Sequence, residues 1–557
     1  MIKKSKKSMP KKAPVAKAPM KAMEKPQKKS IKLPFFKILA KSKAEASKKE
    51  IKFAPPKFKI GGTLPLIVLP EKTKDFKYTL LPPFASVHLK WDDEEKELVY
   101  NLNEPSLDDK EKEIYDTILK GLIEVVDVDL SAIRKREEVI KYVEDKVKGI
   151  LEEYDLSLKD ETYLKIMYFI YRNFIGFNEI EAVMHDPYIE DISCDGVGVP
   201  LYIVHRKYGS LKTNIIFKDS KYLTDFVVKL AERSGRFISY SEPLLDGSLP
   251  DGSRVQASFS KDVTTRGPTF TIRKFIEEPL SPIDLISNGT VNSEVLAFLW
   301  LAVEAGSSIL VSGGASTGKT SFMNVLSIFI PPAAKIVSVE DTRELNLPHE
   351  NWIPSVTRAG FAKGYGEVTY FDLLREAFRQ SPDYVIVGEV RGEEAYVMFQ
   401  GMAAGMPAMG TMHAGKVEDV IHRLETPPIN LSPTLIDTLD LVVIMTHAKE
   451  KGESARRVKE IVEIESVDPK TGTARTNKVY GWLSSDDSFE YRGYSWLFQE
   501  ISKLKGLSMD DLDKEFSRRR KVLDWMKSKK ITHFKDVARV IAEYYKDPEN
   551  ILKQIKQ

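Results

Sequence analysis

Gly313-Gly314-Ala315-Ser316-Thr317-Gly318-Lys319-Thr320 decides how this chain is read. It fits G-x-x-x-x-G-K-[ST] at every position. The glycines let the backbone curl so that successive N–H groups point at one anion, and a helix starting at the loop turns the positive end of its dipole to the same place. In that arrangement Lys319 reaches the β- and γ-phosphates of a nucleotide and the Thr320 hydroxyl holds Mg²⁺. The mechanism requires a strand before the loop and a helix after it. Ile309–Ser312 reads as the strand and Lys319–Ile330 as the helix. The expected nucleotide cradle is therefore Gly313 through Thr320, with Ser321 next on the helix.

Outward from the loop, helical and strand patterns alternate. Ser293–Ala305 and Phe371–Gln380 read as helices; Ile336–Glu340, Tyr384–Val387, Ala408–Met412 and Leu441–Thr446 read as short apolar strands. Such alternation implies a mostly parallel α/β sheet covered by helices, with ligands at the carboxyl ends of its strands. Three acids or bases fall at those ends. Glu389 follows the strand through Val387-Gly388 and is expected to organise magnesium and water. Glu340 opens Glu340-Asp341-Thr342-Arg343-Glu344, where a helix-capping role for Asp341 and Thr342 competes with a catalytic one. His413 follows the strand ending at Met412 and is placed to contact a γ-phosphate, although a lone histidine is more often a packed polar residue. Phosphoryl transfer also needs cations. The candidates are Arg254, Arg266 and Arg273 before the loop, and Arg343, Arg358, Arg375, Arg379 and Arg391 after it.

Upstream, residues 61–105 read as short β segments, and helical spacing begins near 107, with Ile140, Val143, Val147, Ile150 and Leu151 on one face. Tyr163–Phe174 is a further helix. Leu201–Val204 and Ile215–Phe217 flank a hairpin turn, Leu249–Ser253 is a second turn, and Thr269–Arg273 is a last strand. An α+β domain over 61–275 follows, then a proline-marked hinge over 276–283 (Pro279, Pro282), the α/β domain over 284–480 and a charged, helical extension over 481–557.

The 557 residues carry a net charge of +3, but it is not evenly spread. Residues 1–60 hold 20 lysines against three acids, giving +17, so the remainder carries −14. Seven prolines and few apolar residues make disorder the expectation for this arm. One cysteine, Cys194, excludes a disulfide framework and a four-cysteine zinc module. The longest apolar stretch, Val295–Val303, is far short of a membrane span. No apolar stretch early enough for a secretory signal follows the basic start. The expectation is a soluble, cytoplasmic protein.

With these residues in hand, the chain resembles the type II/type IV secretion ATPases, a family that includes pilus motors, DNA-transfer ATPases and the archaellum motor. Besides the loop, Val339–Glu344 is similar to the family's Asp box, Val385–Arg391 to its atypical Walker B, with Gly-Glu in place of Asp-Glu, and Gly410–Ala414 to its His box. Asp186–Ile192, Leu249–Val255 and Phe270–Phe275 resemble segments of its N-terminal domain. The resemblance implies a RecA-like ATPase domain behind a smaller PAS-like α+β domain, a homo-hexameric ring, and ATP with Mg²⁺ bound between the domains. It implies that Arg254, Arg266 and Arg273 reach the phosphates, that Glu340 activates water and that Glu389 holds magnesium-bound water; members of the family divide the last two roles differently. It implies a polytopic membrane platform protein as partner and a place beneath the inner face of the cytoplasmic membrane. The missing zinc insertion, the lysine-rich start and the helical end look more like the archaeal branch.

For the arm, a solubilising tail competes with a tether to anionic lipid through its lysines and Phe35, Phe36, Ile38 and Leu39. Nucleic-acid binding is the third reading, and the −14 body speaks against it. For the whole chain, a filament or secretion motor competes with a RecA-like DNA translocase or helicase and with a non-enzymatic scaffold.

Overall fold

The computed structural model describes residues 55–60, 69–70, 73–126, 136–275, 278–358, 360, 366–450 and 453–556. The basic stretch 1–54 lies outside them, and with it the expectations for a disordered arm and a lipid tether. Phe58, assigned by composition to the arm, is buried instead: its amide donates to Glu144 and its ring packs near Phe84 and Tyr171.

Two nine-stranded sheets organise the chain. The first begins with an antiparallel meander, β1 (Asp75–Leu81), β2 (Ala85–Asp92) and β3 (Glu97–Asn103). Ala85, Val87 and Leu89 alternate inward along β2, the period of a strand with one buried face. Helices Asp109–Val125, Arg136–Glu153 and Asp160–Ile170 follow, the last continuing into a single π turn at Tyr171–Ile175. Next come β4 (Ile189–Cys194), β5 (Pro200–His205), β6 (Gly209–Ile216), helix Ser220–Arg233, β7 (Leu244–Ser248), β8 (Arg254–Ser258) and β9 (Thr269–Arg273). The sheet order is β1-β2-β3-β6-β5-β4-β9-β8-β7, so the meander joins the later strands through a parallel β3–β6 pair. Buried Asp186 accepts the hydroxyls of Tyr78 and Tyr100 at 2.6 and 2.9 Å, tying the meander to the rest.

Helix Pro282–Ser287 opens the second half. Ser281 and Asp284 form a reciprocal capping box, and Pro282 occupies the first turn, where its missing N–H costs nothing. Pro282, one of the two prolines taken as hinge markers, starts this helix. Helix Ser293–Glu304 is buried from Val295 to Val303, which explains an apolar run that is neither amphipathic nor membrane-spanning. No helix among the described residues is long and apolar enough to cross a membrane.

The second sheet contains β10 (Ile309–Gly313), β11 (Ile336–Glu340), β12 (Trp352–Val356), β13 (Tyr384–Val387), β14 (Ala408–Met412), β15 (Leu441–Glu450), β16 (Glu453–Val467), β17 (Ala474–Leu483) and β18 (Ser488–Tyr491). Its order is β12-β11-β13-β14-β10-β15-β16-β17-β18. The first six strands in this order are parallel; β16 to β18 run antiparallel beside β15. Strands β10, β11, β13 and β14 are buried at every residue because helices cover both faces. Ile309 and Val311 point into one core and Leu310 into the other. This is the RecA-like α/β architecture expected.

Three details depart from the sequence reading. The helix after the loop ends at Ser327 rather than Ile330, since Pro331 disfavours helical geometry in the residue before it. No helix follows Asp341 and Thr342, so they cap nothing. Residues 481–495 are not helical: β17 runs on to Leu483 and β18 belongs to the same sheet, and helices Trp496–Lys505, Met509–Ser528, Phe534–Lys546 and Pro548–Lys556 come after it. Strands β16 and β17 are hard to read from sequence because half-buried Lys459 and Glu460 and exposed Arg475 and Lys478 fall between their apolar residues.

Candidate functional site

Four parallel strands end at one edge of the second sheet, and each delivers one piece of the site. Beyond β10 lies the glycine-rich loop over residues 313–320. A Cβ at Gly313 would stand 2.6 Å from the Met445 carbonyl and 2.7 Å from the Thr317 hydroxyl, so the loop closes here only with glycine. Gly318 adopts φ 88°, a left-handed conformation glycine takes at little cost, and starts helix Lys319–Ser327. The Thr317 hydroxyl donates to the Gly314 carbonyl at 3.0 Å, and the Lys319 amine donates to the same carbonyl at 2.8 Å.

Beyond β14 stands His413. Ser312, buried in β10, fixes this segment by donating to the Ala414 carbonyl at 2.8 Å and accepting from the Ala414 amide at 3.1 Å. His413 Nδ1 lies 3.3 Å from the Lys319 amine, and its Nε2 lies 3.2 Å from Glu389 Oε1. Burial and the Lys319 charge push the imidazole pKa below its ordinary value; burial also lowers that of Lys319. Beyond β13, Glu389 Oε2 meets Arg391 at 2.8 Å, and Arg391 reaches Asp341 at 3.0 Å. Lys319, His413, Glu389, Arg391 and Asp341 thus form one continuous chain of polar contacts across the strand ends.

Glu340, the last residue of β11, is 2% exposed. Its Oε1 accepts the amides of Glu344 and Leu345, each at 2.9 Å, while Oε2 is buried with no hydrogen-bond partner among the described residues. Burial raises its pKa to about 7, where a carboxyl group is suited to taking up a proton near neutrality. The residue facing it is Gly388. A Cβ there would lie 3.2 Å from Glu340 Cγ and 3.3 Å from the Tyr370 hydroxyl. The Gly-Glu pair therefore has a physical cause: glycine leaves room for the Glu340 side chain.

Of the cations singled out in the sequence, Arg391 and Arg343 reach this region. Arg358, Arg375 and Arg379 are engaged elsewhere, with the Gly366 carbonyl, the Phe371 ring and Glu376. In the N-terminal half, Arg254 makes a two-pronged pair with Asp246 at 3.0 and 2.8 Å and feels the charges of Asp341 and Glu344. Arg273 pairs with Asp191 at 3.4 Å and lies 4.0 Å from Glu344. Arg266 is exposed on the β8–β9 loop and makes no side-chain hydrogen bond or ion pair among the described residues. Thr320 and Ser321 sit half-buried in the first turn of the helix.

An open cleft of about 510 Å³ lies over Gly313, Gly314 and His413. Its far wall is Asp419, His422 and Arg423, on helix Val417–Glu425, which the sequence reading passed over. Their spacing of three and four residues, on a helix starting just after His413, is the signal that would have found them.

Residues 202–479 match the model of the type II/IV secretion system protein family, and residues 485–557 match a PilB3-like C-terminal region. The chain is 38% identical over 415 residues to an uncharacterized protein of Methanocaldococcus jannaschii, covering 73% of each. It is 32% identical over 270 residues to the type IV secretion system protein PtlH of Bordetella pertussis, covering 42% of this chain and 79% of that one. Among solved structures, the VirB11 ATPase of the Brucella suis type IV secretion system is similar at 24% identity and a TM-score of 0.27, over 50% of this chain and 89% of that one.

Proposed function

The chain belongs to the type II/IV secretion system protein family, and from that premise we propose that it is a magnesium-dependent ATPase that drives assembly of a pilus-like or archaellum-like filament, or secretion. The observation that carries the reading is the convergence of the loop lysine, the His413–Glu389–Arg391–Asp341 chain and the buried free oxygen of Glu340 on one sheet edge.

The loop fits a phosphate chain, because Gly313 and Gly318 let the backbone close where a side chain would obstruct it. Lys319 neutralises phosphate oxygens, and His413 and Arg391 hold the Glu389 carboxylate in place. Glu340 Oε2 takes the proton of the attacking water, and the paired amides on Oε1 keep its carboxylate aimed. Thr320 and Glu389 would hold Mg²⁺, which when bound neutralises charge on the phosphates. Arg254 and Arg273 supply further positive charge from the N-terminal half.

In this reading the protein works as a homo-hexamer at the inner face of the cytoplasmic membrane, against a polytopic platform protein. The domain over 61–275 moves as a rigid body on the one over 284–480 about residues 276–283, and the lysine-rich arm adds attraction to anionic lipid. Glu340→Gln tests the chemistry. Nucleotide affinity is expected to stay within about threefold while turnover falls at least ~100-fold. Turnover close to wild type in this variant would remove Glu340 from the reaction.

A further inference from the structure

Glu340 is aimed by the two amides of its own loop, those of Glu344 and Leu345. What holds that loop comes partly from the other half of the molecule. The Arg343 guanidinium lies over two rings, 5.4 Å from the centre of Phe275 and 5.3 Å from that of Trp352. Phe275 follows β9, the last strand of the first sheet; Trp352 starts β12, at the edge of the second. Trp352 is fixed by donating its indole N–H to Ser338 at 3.0 Å, one strand across on β11. Phe275 is fixed by donating its amide to the Ser253 hydroxyl at 3.1 Å and by its close approach to Gly252. The neighbouring Arg273 lies 4.0 Å from Glu344. Arg273, at the end of β9, and Phe275, just after it, therefore reach Glu344, which donates one of the two amides to Glu340, and its neighbour Arg343.

We propose that Arg343 is a positioning residue: held over the rings of Phe275 and Trp352, it couples the position of the N-terminal half to the aim of the Glu340 carboxylate. A cation over two ring faces is attracted to both. When the two rings close on it, residues 343–345 are held and Oε1 keeps both amides. When Phe275 withdraws, Arg343 loses one face, the loop loosens and the carboxylate loses its aim. Turnover is then tied to domain position, while the phosphate-binding loop, on β10, is untouched. The inference rests on the ATPase reading.

The test is steady-state ATP hydrolysis by the full chain, with melting temperature measured alongside, for wild type, Arg343→Ala, Phe275→Leu, Phe275→Tyr and the Arg343→Ala/Phe275→Leu double variant. The expected result is that Arg343→Ala and Phe275→Leu each lower kcat about tenfold with the KM for ATP changed less than about twofold. The double variant is expected to be no worse than the weaker single one, because both remove the same contact. Phe275→Tyr keeps the ring and is expected to stay near wild-type kcat. If Arg343→Ala fails to fold, Phe275→Leu against Phe275→Tyr decides. Single variants within twofold of wild-type kcat, a double variant that multiplies two independent losses, or a change confined to KM each overturn the coupling. A wild-type chain without turnover overturns the ATPase reading itself.

Discussion

Glu340 shows how one residue acquires its chemistry from burial. Burial disfavours the charged carboxylate and holds the proton more tightly than on a free carboxyl group, and the two amides on Oε1, which favour the ionised form, only partly offset it. Raising the pKa from 4.5 to about 7 makes the native state bind a proton that the unfolded chain has already released. The sign follows: stability contributed by the protonated form is present below about 4.5 and is lost as pH rises through about 7, in total on the order of 3 kcal/mol. Wild type is expected to lose that much more stability than Glu340→Gln between pH 4.5 and 8, read from urea midpoints at a series of pH values. Parallel curves for the two proteins would mean that Glu340 titrates as an exposed carboxyl does. The sequence marked Glu340, Glu389 and His413 as strand-end residues, because each follows an apolar run that stops abruptly. It could not mark the free oxygen, which depends on what packs around the end of β11, or the contact of His413 with Lys319, 94 residues apart in sequence.

At the level of elements, the site exists because parallel strands buried on both faces bring their carboxyl ends to one edge. Strands β11, β13 and β14 are readable to the residue, since covering both faces demands an unbroken apolar run. Strands β16 to β18 are not, since a sheet face open to solvent admits charges between apolar residues. The packing of β13 against β11 carries its own consequence. Gly388→Ala pushes a methyl group against Glu340 Cγ and the Tyr370 hydroxyl, two groups held by their own hydrogen bonds. A stability loss of about 1–2 kcal/mol with a drop in turnover of roughly tenfold is expected. A neutral substitution, with melting temperature and turnover unchanged, would show that the close fit does no structural work. Asp419, His422 and Arg423 went unread for a different reason: a polar helix face is usually just solvated, and only the cleft distinguishes this one.

In the whole molecule, the half that carries the glycine-rich loop is clasped from its C-terminal side. Arg519, 4% exposed, pairs with Glu304 and Glu515 and lies 4.9 Å from the centre of the Trp300 ring. Tyr545 donates its hydroxyl to the Phe329 carbonyl just past the helix that follows the loop, and accepts the Trp300 indole N–H at 2.9 Å. The last helices thus grip the helix before β10 and the helix after it, although the sequence suggested only an amphipathic appendage. Charge alone had separated the lysine-rich first residues from an acidic body, and the residues that converge at the sheet edge all belong to that body. The most direct test of the central claim is ATP turnover by the full-length chain with Mg²⁺, wild type against Lys319→Ala. Measurable wild-type hydrolysis and a loss of at least ~100-fold in the variant are expected, because the Lys319 amine reaches into the glycine-rich loop. Equal turnover by the two proteins would contradict the assignment of this edge as the place where ATP is hydrolysed.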